Sequence, residues 1–168
     1  MKIGIEIEKN YIIKKPDRAT LLLQEGYTES SIVQIYLPSN DGETLRVRKR
    51  VQNGTVSYIE TRKIRIDEMS STEIERELTE SEYDSLANNI LPSTSPINKI
   101  RYTFIYKSQL FEIDEYPQWH HTAIMETELD SRERDVEFPD FIEIIKDVTG
   151  DKSYSNRGMS HTFPKEQL

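Results

Sequence analysis

The sequence feature that most constrains the fold is the alternation of isoleucine with polar or charged residues over Lys2–Ile13. Successive side chains of a β-strand point to opposite faces, so three isoleucines share one face while Glu6, Glu8 and Asn10 share the other. Two carboxylates on one strand face lie about 7 Å apart and repel by roughly 2 kcal/mol at an effective dielectric of ~20. The pattern therefore predicts an amphipathic strand whose acidic face lies in water or against a cation.

The same sorting of charge recurs along the chain. Four predicted strands carry paired acids on one face and three carry paired bases: Glu6/Glu8, Glu73/Glu75, Glu112/Asp114 and Glu126/Glu128 are the acidic pairs, and Arg46/Arg48, Lys63/Arg65 and Lys99/Arg101 are the basic ones. A solvated sheet tends to mix signs so that neighbouring strands form cross-strand pairs. Strand faces that carry charges of a single sign favour an arrangement in which those faces point into the interior. The alternation of apolar and charged residues alone, however, does not distinguish an interior face from a solvated one.

Turn and cap signals predict about eight antiparallel strands, enough to close a barrel, with three short helices at the connections. A glycine stop predicts a helix over 19–24 with leucines in the core, and Thr79 with Glu82 forms a capping box that predicts a second. Apolar residues at helical spacing predict a third helix over Pro139–Val148, followed by an irregular tail. The predicted fold class is α+β, mainly β: an eight-stranded antiparallel closed barrel, or tunnel, in one domain spanning 1–168.

Composition excludes several kinds of site. The chain of 168 residues has no cysteine, which rules out thiol catalysis, disulfides and cysteine-ligated zinc. The glycines form neither a P-loop nor a dinucleotide-binding turn, and the adjacent His120 and His121 would face opposite sides of a strand. The N-terminal stretch lacks an apolar run of signal-peptide or membrane length, so we expect a cytoplasmic protein with no membrane partner.

Net charge points to a small anionic ligand. The chain carries −8 overall, which argues against a nucleic-acid partner. Between positions 46 and 65, seven basic residues face one acid, giving 7 − 1 = +6, so the remainder carries −14. With interior faces, a basic wall would hold an anion, and an acidic wall of oxygen ligands would hold Mg²⁺ or Mn²⁺. Phosphoryl transfer uses both parts.

Taken in order, these segments resemble the CYTH family, also called triphosphate tunnel metalloenzymes. Glu6 and Glu8 match the family's N-terminal ExExK strand, and the likeness continues through LRVRKR, Lys63, STEIERE, INKIRY, FEIDEY and METEL. The tail DVTGDKSYSN resembles the bacterial inorganic-triphosphatase-like branch, in which an EVTxDxRYxN run is typical. The resemblance implies an eight-stranded tunnel that uses Mg²⁺ or Mn²⁺ on a small-molecule triphosphate.

The resemblance also implies a role for each matching residue. The metal ligands would be Glu6, Glu8, Glu126 and Glu128, with Glu73, Glu75 and Asp114 as helpers. Phosphate would be held by Arg46, Arg48, Lys63, Lys99 and Arg101, while Lys152 and Asn156 would close one mouth of the tunnel. Lys63 would also orient or activate the attacking water, which makes it the candidate catalytic residue.

Two positions depart from the family pattern. Asn10 stands where the motif has lysine, and Lys9 points to the other face unless a bulge intervenes. Ser153 stands where arginine is usual before the tail tyrosine, with Lys152 one place early. Each change removes an inward cation, so rate, metal preference or substrate could differ.

The leading prediction is a metal-dependent phosphohydrolase that cleaves the terminal phosphate of a linear triphosphate, first of all inorganic tripolyphosphate. Its alternatives are a nucleoside or thiamine triphosphatase, a class IV type adenylyl cyclase and a non-catalytic polyphosphate- or nucleotide-binding protein. The sequence leaves the oligomeric state open.

Overall fold

β-strands supply most of the regular structure in the computed structural model, which describes residues 1–167. The strands are β1 (Lys2–Lys14), β2 (Glu25–Leu37), β3 (Glu43–Gln52), β4 (Thr55–Arg65), β5 (Ser70–Glu77), β6 (Ile97–Tyr106), β7 (Gln109–Glu115), β8 (Thr122–Glu128) and β9 (Ile144–Asp147). The helices are α1 (Arg18–Leu22), α2 (Glu80–Ala87) and α3 (Asn156–His161), and a 3₁₀ turn spans Lys152–Tyr154. None of the helices within residues 1–167 is both long and apolar enough to cross a membrane.

The first eight strands close into an antiparallel barrel. Their order is β5-β4-β3-β2-β6-β7-β8-β1, and β1 pairs back onto β5 to complete the ring. β1 divides its pairing: residues 2–7 pair with β5 and residues 8–14 pair with β8. This closure confirms the predicted eight-stranded barrel. In such a ring β3 and β8 lie four strands apart in either direction, so their inward side chains face each other across the interior.

Two apolar cores lie on the outer faces of the barrel strands. One packs α1 and the segment 136–142 against β1, β6, β7 and β8, with Phe104, Phe111 and Met125 fully buried at its centre. The other packs α2 against β2 and β3 through Leu37, Val47 and Tyr83. Burying each large apolar side chain is worth ~1.5–3 kcal/mol, so these outer cores supply apolar burial that stabilises the barrel. The inward faces are therefore not needed for apolar packing and can carry charge.

A third apolar cluster closes one end of the barrel. There β2 and β7 end and β6 and β8 begin, and their inward Tyr36, Ile97, Tyr116 and Ile124 pack with Met159 of α3. The chain beyond α3 is tied to the same end, because the Glu166 carboxylate accepts hydrogen bonds from the backbone N–H groups of residues 120–122. We call residues 152–167 the cap and this end of the barrel the capped mouth.

Three predictions about local structure were wrong. The segment predicted as a helix over Pro139–Val148 instead has a turn and irregular backbone over 139–143 and then forms β9, which pairs with β1 beyond the end of β5. The spacing of its apolar residues fits a helix, but pairing satisfies backbone groups that β5 leaves open on the edge of β1. The C-terminal tail was predicted to be irregular, but it forms the 3₁₀ turn and α3, and the Ser155 side chain caps the N-terminus of α3. Finally, the five-residue α1 buries only Leu21, leaving Leu22 and Leu23 exposed.

Candidate active site

The barrel encloses a cavity of about 660 Å³ whose walls are the inward faces of the strands. It collects all of the predicted site residues except Lys99 and Asp114: Glu6, Glu8, Arg46, Arg48, Lys63, Glu73, Glu75, Arg101, Glu126, Glu128 and Lys152, together with Asn156. The residues come from β1, β3, β4, β5, β6, β8 and the cap, so closing the ring is what brings them together.

One wall of the cavity carries buried guanidinium groups without acidic partners. Arg48 donates from Nε and Nη2 to the neutral Gln34 Oε1, at 3.1 and 2.7 Å, and Arg46 Nε is buried without a hydrogen-bond partner. Within residues 1–167, neither guanidinium lies within 4 Å of a carboxylate oxygen. Burial, followed by the neighbouring charges of Arg46 and Arg101, lowers the pKa of Arg48 to about 9. This basic wall therefore carries positive charge that an anion would stabilise.

The acidic wall lies across the cavity on β1 and β8. Glu8 is the direct cross-strand partner of Glu128, and Asn10 is the partner of Glu126. Burial, followed by the charge of Glu126, raises the pKa of Glu8 to about 8. Burial and the neighbouring Glu6 raise the pKa of Glu128 to about 7. Burial and the neighbouring acids therefore favour the protonated form of both carboxyl groups near neutral pH, although the charge of Lys63 acts against this at Glu8.

Lys63 supplies the internal cation of the acidic wall. Its Nζ lies 3.1 Å from Glu6 Oε2 and 3.7 Å from Glu73 Oε2. Burial lowers its pKa, but Glu8, Glu6 and Glu73 outweigh that effect and raise the pKa above its ordinary value. Lys63 is therefore protonated at neutral pH. It can orient a water molecule or bind a phosphate oxygen, but it cannot accept a proton.

Lys99 and Asp114 lie behind the lining in a buried network with Arg101. Asp114 accepts from Lys99 Nζ at 2.8 Å and from Arg101 Nε and Nη2 at 2.7 and 2.8 Å. Burial raises the pKa of Asp114, but Arg101 and Lys99 outweigh it and hold the pKa below its ordinary value. Both carboxylate oxygens are used and the Lys99 side chain is 0% exposed, so neither residue lines the cavity. Their placement makes them positioning residues for Arg101, which reaches the cavity and also pairs with Glu112 at 2.7 Å.

The acidic wall fits a hard divalent cation by its donors and its charge. Its ligand atoms are carboxylate oxygens, as Mg²⁺ and Mn²⁺ prefer. Glu6 Oε2 is buried without a hydrogen bond, although Lys63 lies close to it. In the part of the chain that the structure describes, no three acidic or histidine side chains already form a metal cluster. A bound cation would have to draw these carboxylates closer together.

At position 10 the cavity is lined by an amide and not by the lysine of the ExExK pattern. The pairing of β1 with β8 runs without a bulge from Glu8 to Asn10, so Asn10 lines the cavity and Lys9 lies on the outer face. Sequence reasoning did not assign a role to Arg157, which also lines the cavity. The only available signal was its place in the tail, and the predicted irregular structure gave no reason to turn it inward.

Comparison with known proteins identifies the fold. No protein-family model matches the sequence, and no curated protein matches it. The crystal structure of the inorganic triphosphatase NE1496 superimposes with a TM-score of 0.59 at 24% identity, covering 95% of this chain and 96% of that one. The chain has the CYTH-type tunnel fold.

Two further solved structures share this tunnel fold at lower identity. A conserved hypothetical protein from Pyrococcus furiosus has a TM-score of 0.56 at 20% identity, covering 76% of this chain and 82% of that one. The PH1819 protein from Pyrococcus horikoshii OT3 has a TM-score of 0.52 at 18% identity, with coverages of 74% and 80%. The fold implied by the resemblance is thus confirmed.

Proposed function

We propose that the protein is a Mg²⁺- or Mn²⁺-dependent phosphohydrolase that cleaves the terminal phosphate of a linear triphosphate, with inorganic tripolyphosphate as its substrate. The observation that carries this proposal is the separation of charge inside the barrel. Arg46 and Arg48 have no acidic partner within residues 1–167, while Glu8 and Glu128 have raised pKa values on the facing wall. A phosphate chain with a divalent cation supplies both missing charges.

The chemistry of the lining supports an inorganic chain over a nucleotide. The apolar and aromatic side chains that line the cavity in the described chain are Tyr36, Met69, Val148, Tyr154 and His161. The hydroxyl of Tyr36 already accepts a hydrogen bond from Gln34 Nε2 at 2.6 Å. A nucleobase is normally bound by stacking or by an apolar pocket, and this lining offers little of either. The similar fold of a protein named as an inorganic triphosphatase supports the same choice.

The basic wall would bind the phosphate chain. Guanidinium groups bind phosphate oxygens through two parallel hydrogen bonds, so Arg46, Arg48 and Arg101 would fix the chain along the cavity. Hydrogen bonds to charged groups are worth ~1.5–3 kcal/mol each. Asp114 holds the guanidinium plane of Arg101 through two of its bonds, which leaves Arg101 oriented before substrate arrives.

The acidic wall would hold the cation through Glu6, Glu8, Glu126 and Glu128, with Glu73 and Glu75 beside them. When bound, a divalent cation neutralises phosphate charge and makes a coordinated water nucleophilic near neutral pH. Lys63 would donate hydrogen bonds from its ammonium to the terminal phosphate or the attacking water. Because its pKa is raised by Glu8, Glu6 and Glu73 despite burial, its role is orientation and charge stabilisation.

One set of assays tests the proposal. The protein is incubated with tripolyphosphate, ATP or thiamine triphosphate, each with Mg²⁺ or Mn²⁺, and phosphate, pyrophosphate and cyclic AMP are measured. We expect phosphate and pyrophosphate from tripolyphosphate, with kcat/KM at least ~10-fold above that for ATP and no turnover in EDTA. Cyclic AMP from ATP would identify a cyclase instead. Binding without turnover would identify a binding protein, the alternative to which Asn10 points.

A matched pair of variants places the reaction in the tunnel. Arg48→Gln removes a buried cation from the basic wall and should lower kcat/KM by ~100-fold or more, because at least two charged hydrogen bonds are lost. Arg18→Gln is the control, since Arg18 lies outside the barrel in an exposed pair with Glu29. Equal effects of the two substitutions would contradict an interior site.

A further inference from the structure

Three cations line the cavity at the capped mouth and have no acidic partner. They are Arg65 at the end of β4, Lys152 in the 3₁₀ turn and Arg157 in α3. None of the three forms a salt bridge with any residue from 1 to 167. Three cations without acidic partners on one rim, in a chain with a net charge of −8, are in a position to attract an anion.

The packing of the cap brings two of these cations together. A Cβ atom at Gly158 would lie 2.0 Å from the carbonyl oxygen of Lys152, so only glycine allows α3 to pack directly on the 3₁₀ turn. The hydroxyl of Ser155 donates to the same Lys152 carbonyl at 2.7 Å. Lys152 and Arg157 are therefore fixed on one side of the mouth.

The side chain of Arg157 and the backbone of Arg65 both bond to the turn that begins β3, and the Arg65 side chain donates from Nη2 to the carbonyl oxygen of Glu68 at 3.2 Å. Arg157 donates from Nη1 to the carbonyl oxygen of Glu43 at 3.0 Å, and the backbone N–H of Arg65 donates to the carbonyl of Gly42 at 3.2 Å. A guanidinium carries five N–H groups, so one bond to Glu43 leaves most of the donors of Arg157 for a ligand in the cavity.

The acidic residues at this mouth are mostly engaged elsewhere. Asp67 accepts from the backbone of Met69 and Ser70 and pairs with Arg132. Asp151 accepts from the N–H and the hydroxyl of Ser153, at 3.0 and 2.6 Å, and Glu43 pairs with Arg62 at 2.6 Å. Glu68 also lines this rim, and its side chain is exposed to solvent.

We propose that Arg157 is a further phosphate-binding residue and that, with Lys152 and Arg65, it forms an anion subsite for the phosphate at one end of the chain. The inference rests on the proposed function and deepens it. This chain has Asn10 and Ser153 at two positions where the family pattern has cations. Arg157 supplies a cation of its own at the capped mouth. We assign the subsite to the end that in ATP is joined to the nucleoside; an unesterified phosphate carries more negative charge there, so the subsite favours an inorganic chain.

Steady-state kinetics on Arg157→Gln, Arg157→Lys and the control Arg18→Gln test the subsite. Glutamine keeps an N–H that can reach the Glu43 carbonyl but removes the charge. We expect Arg157→Gln to raise KM for tripolyphosphate ~10-fold or more with kcat changed less than ~3-fold, and to change KM for ATP less. Arg157→Lys should recover part of the loss, and Arg18→Gln should match the wild type. Equal KM values for Arg157→Gln and wild type, or loss that lysine does not restore, would overturn the proposal.

Direct binding separates this inference from the proposed function. Tripolyphosphate is titrated into each protein in EDTA by calorimetry, and far-UV circular dichroism and Tm confirm that each variant is folded. If the wild type binds but does not hydrolyse tripolyphosphate, the proposed reaction fails, and a ~10-fold weaker affinity of Arg157→Gln still supports the subsite. If the wild type hydrolyses tripolyphosphate and Arg157→Gln binds it equally well, the subsite alone fails. If the wild type neither binds nor hydrolyses tripolyphosphate, both fail.

Discussion

Asp114→Asn tests whether a buried carboxylate holds the tunnel's cations in place. The Asp114 side chain is 1% exposed and accepts three charged hydrogen bonds, one from Lys99 and two from Arg101, all between 2.7 and 2.8 Å. Asparagine has nearly the same shape but no charge, and its amide nitrogen would face a cation. The substitution therefore leaves two buried cations without their shared partner.

The expected cost follows from that loss. Breaking a buried ion pair by removing one partner costs ~3–5 kcal/mol, because the remaining charge stays buried. For a chain of this length, 1 kcal/mol shifts Tm by ~2–4 °C, so Tm should fall by roughly 6–20 °C. Adding Lys99→Met to Asp114→Asn removes one of the two stranded cations and should restore ~1–3 kcal/mol.

The loss should also depend on pH. Burial, with the charges of Arg101 and Arg48, lowers the pKa of Lys99 to about 7 even beside Asp114, and without Asp114 that pKa falls further. At a pH between the Lys99 pKa of Asp114→Asn and that of the wild type, only the wild type keeps the proton on Lys99. The stability deficit of Asp114→Asn should therefore be largest below pH 6 and shrink as pH rises through 7.

Thermal and urea unfolding in EDTA, followed by circular dichroism, measure these differences. Asp130→Asn is the matched control, since Asp130 pairs with Arg134 on the surface and its side chain is 72% exposed. The control should change stability by less than ~0.5 kcal/mol. A Tm change below ~3 °C for Asp114→Asn, or no recovery with Lys99→Met, would refute the role assigned to Asp114.

Four other predictions test the acidic wall and the cap. Glu128→Gln should abolish metal-dependent turnover, by ~100-fold or more, while leaving the circular dichroism spectrum unchanged; unchanged rates would remove Glu128 from the site. In EDTA, Tm should fall as pH rises from about 6 to 8, because the raised pKa values of Glu8 and Glu128 mean that the folded state binds more protons than the unfolded state. Adding Mg²⁺ at pH 8 should restore Tm. A Tm that does not change with pH in EDTA would contradict this prediction. Asn10→Lys adds a cation beside the acidic wall and should lower KM for tripolyphosphate several-fold, whereas an equal KM would show that position 10 does not reach the substrate. Burial raises the pKa of Glu166, but hydrogen bonds from backbone N–H groups outweigh burial and lower the pKa to about 2. Glu166→Gln should therefore lower Tm at pH 7 by a few degrees, and the difference from wild type should vanish as pH falls from about 4.5 towards 2. A difference that stays constant with pH would argue against a role for the carboxylate charge.

The barrel and most of its lining could be predicted because the strand period fixes which side chains share a face. Once Glu6 is placed inward, Glu8 and Asn10 must follow, and the same holds for Arg46 and Arg48 on β3. The sequence could not decide which face turns inward, since an acidic face is equally compatible with water. The outer cores decide it, because Phe104 and Met125 take the opposite faces of their strands.

Tertiary contacts determined the parts that sequence reasoning misjudged. Lys99 and Arg101 lie two residues apart on the same face and carry the same charge. Both pair with Asp114 in the structure, but the Lys99 ammonium is fully buried there while the longer Arg101 guanidinium also reaches the cavity. Likewise, the apolar residues of 139–148 fit a helix, but pairing with the open edge of β1 makes residues 144–147 a strand. The periodicity of a sequence predicts which side chains share a strand face. It does not predict how deeply a side chain on that face is buried, or which strand edge is free to pair.

The two walls of the tunnel can neutralise each other in only a few places. Arg101 reaches Glu112 at 2.7 Å and Glu126 at 3.8 Å, and Lys63 lies against Glu6 and Glu73, but Arg46 and Arg48 stand on the opposite side of the ring from β8. Within residues 1–167 neither of these guanidinium groups lies within 4 Å of a carboxylate oxygen, although Glu73 and Glu75 stand on β5, two strands from β3. An anion alone would leave the acidic wall repelling it, and a cation alone would add to the basic excess. Under the proposed function, each ion would favour binding of the other by the same coupling free energy, so we expect a metal–phosphate complex to be a better ligand for this barrel than either component.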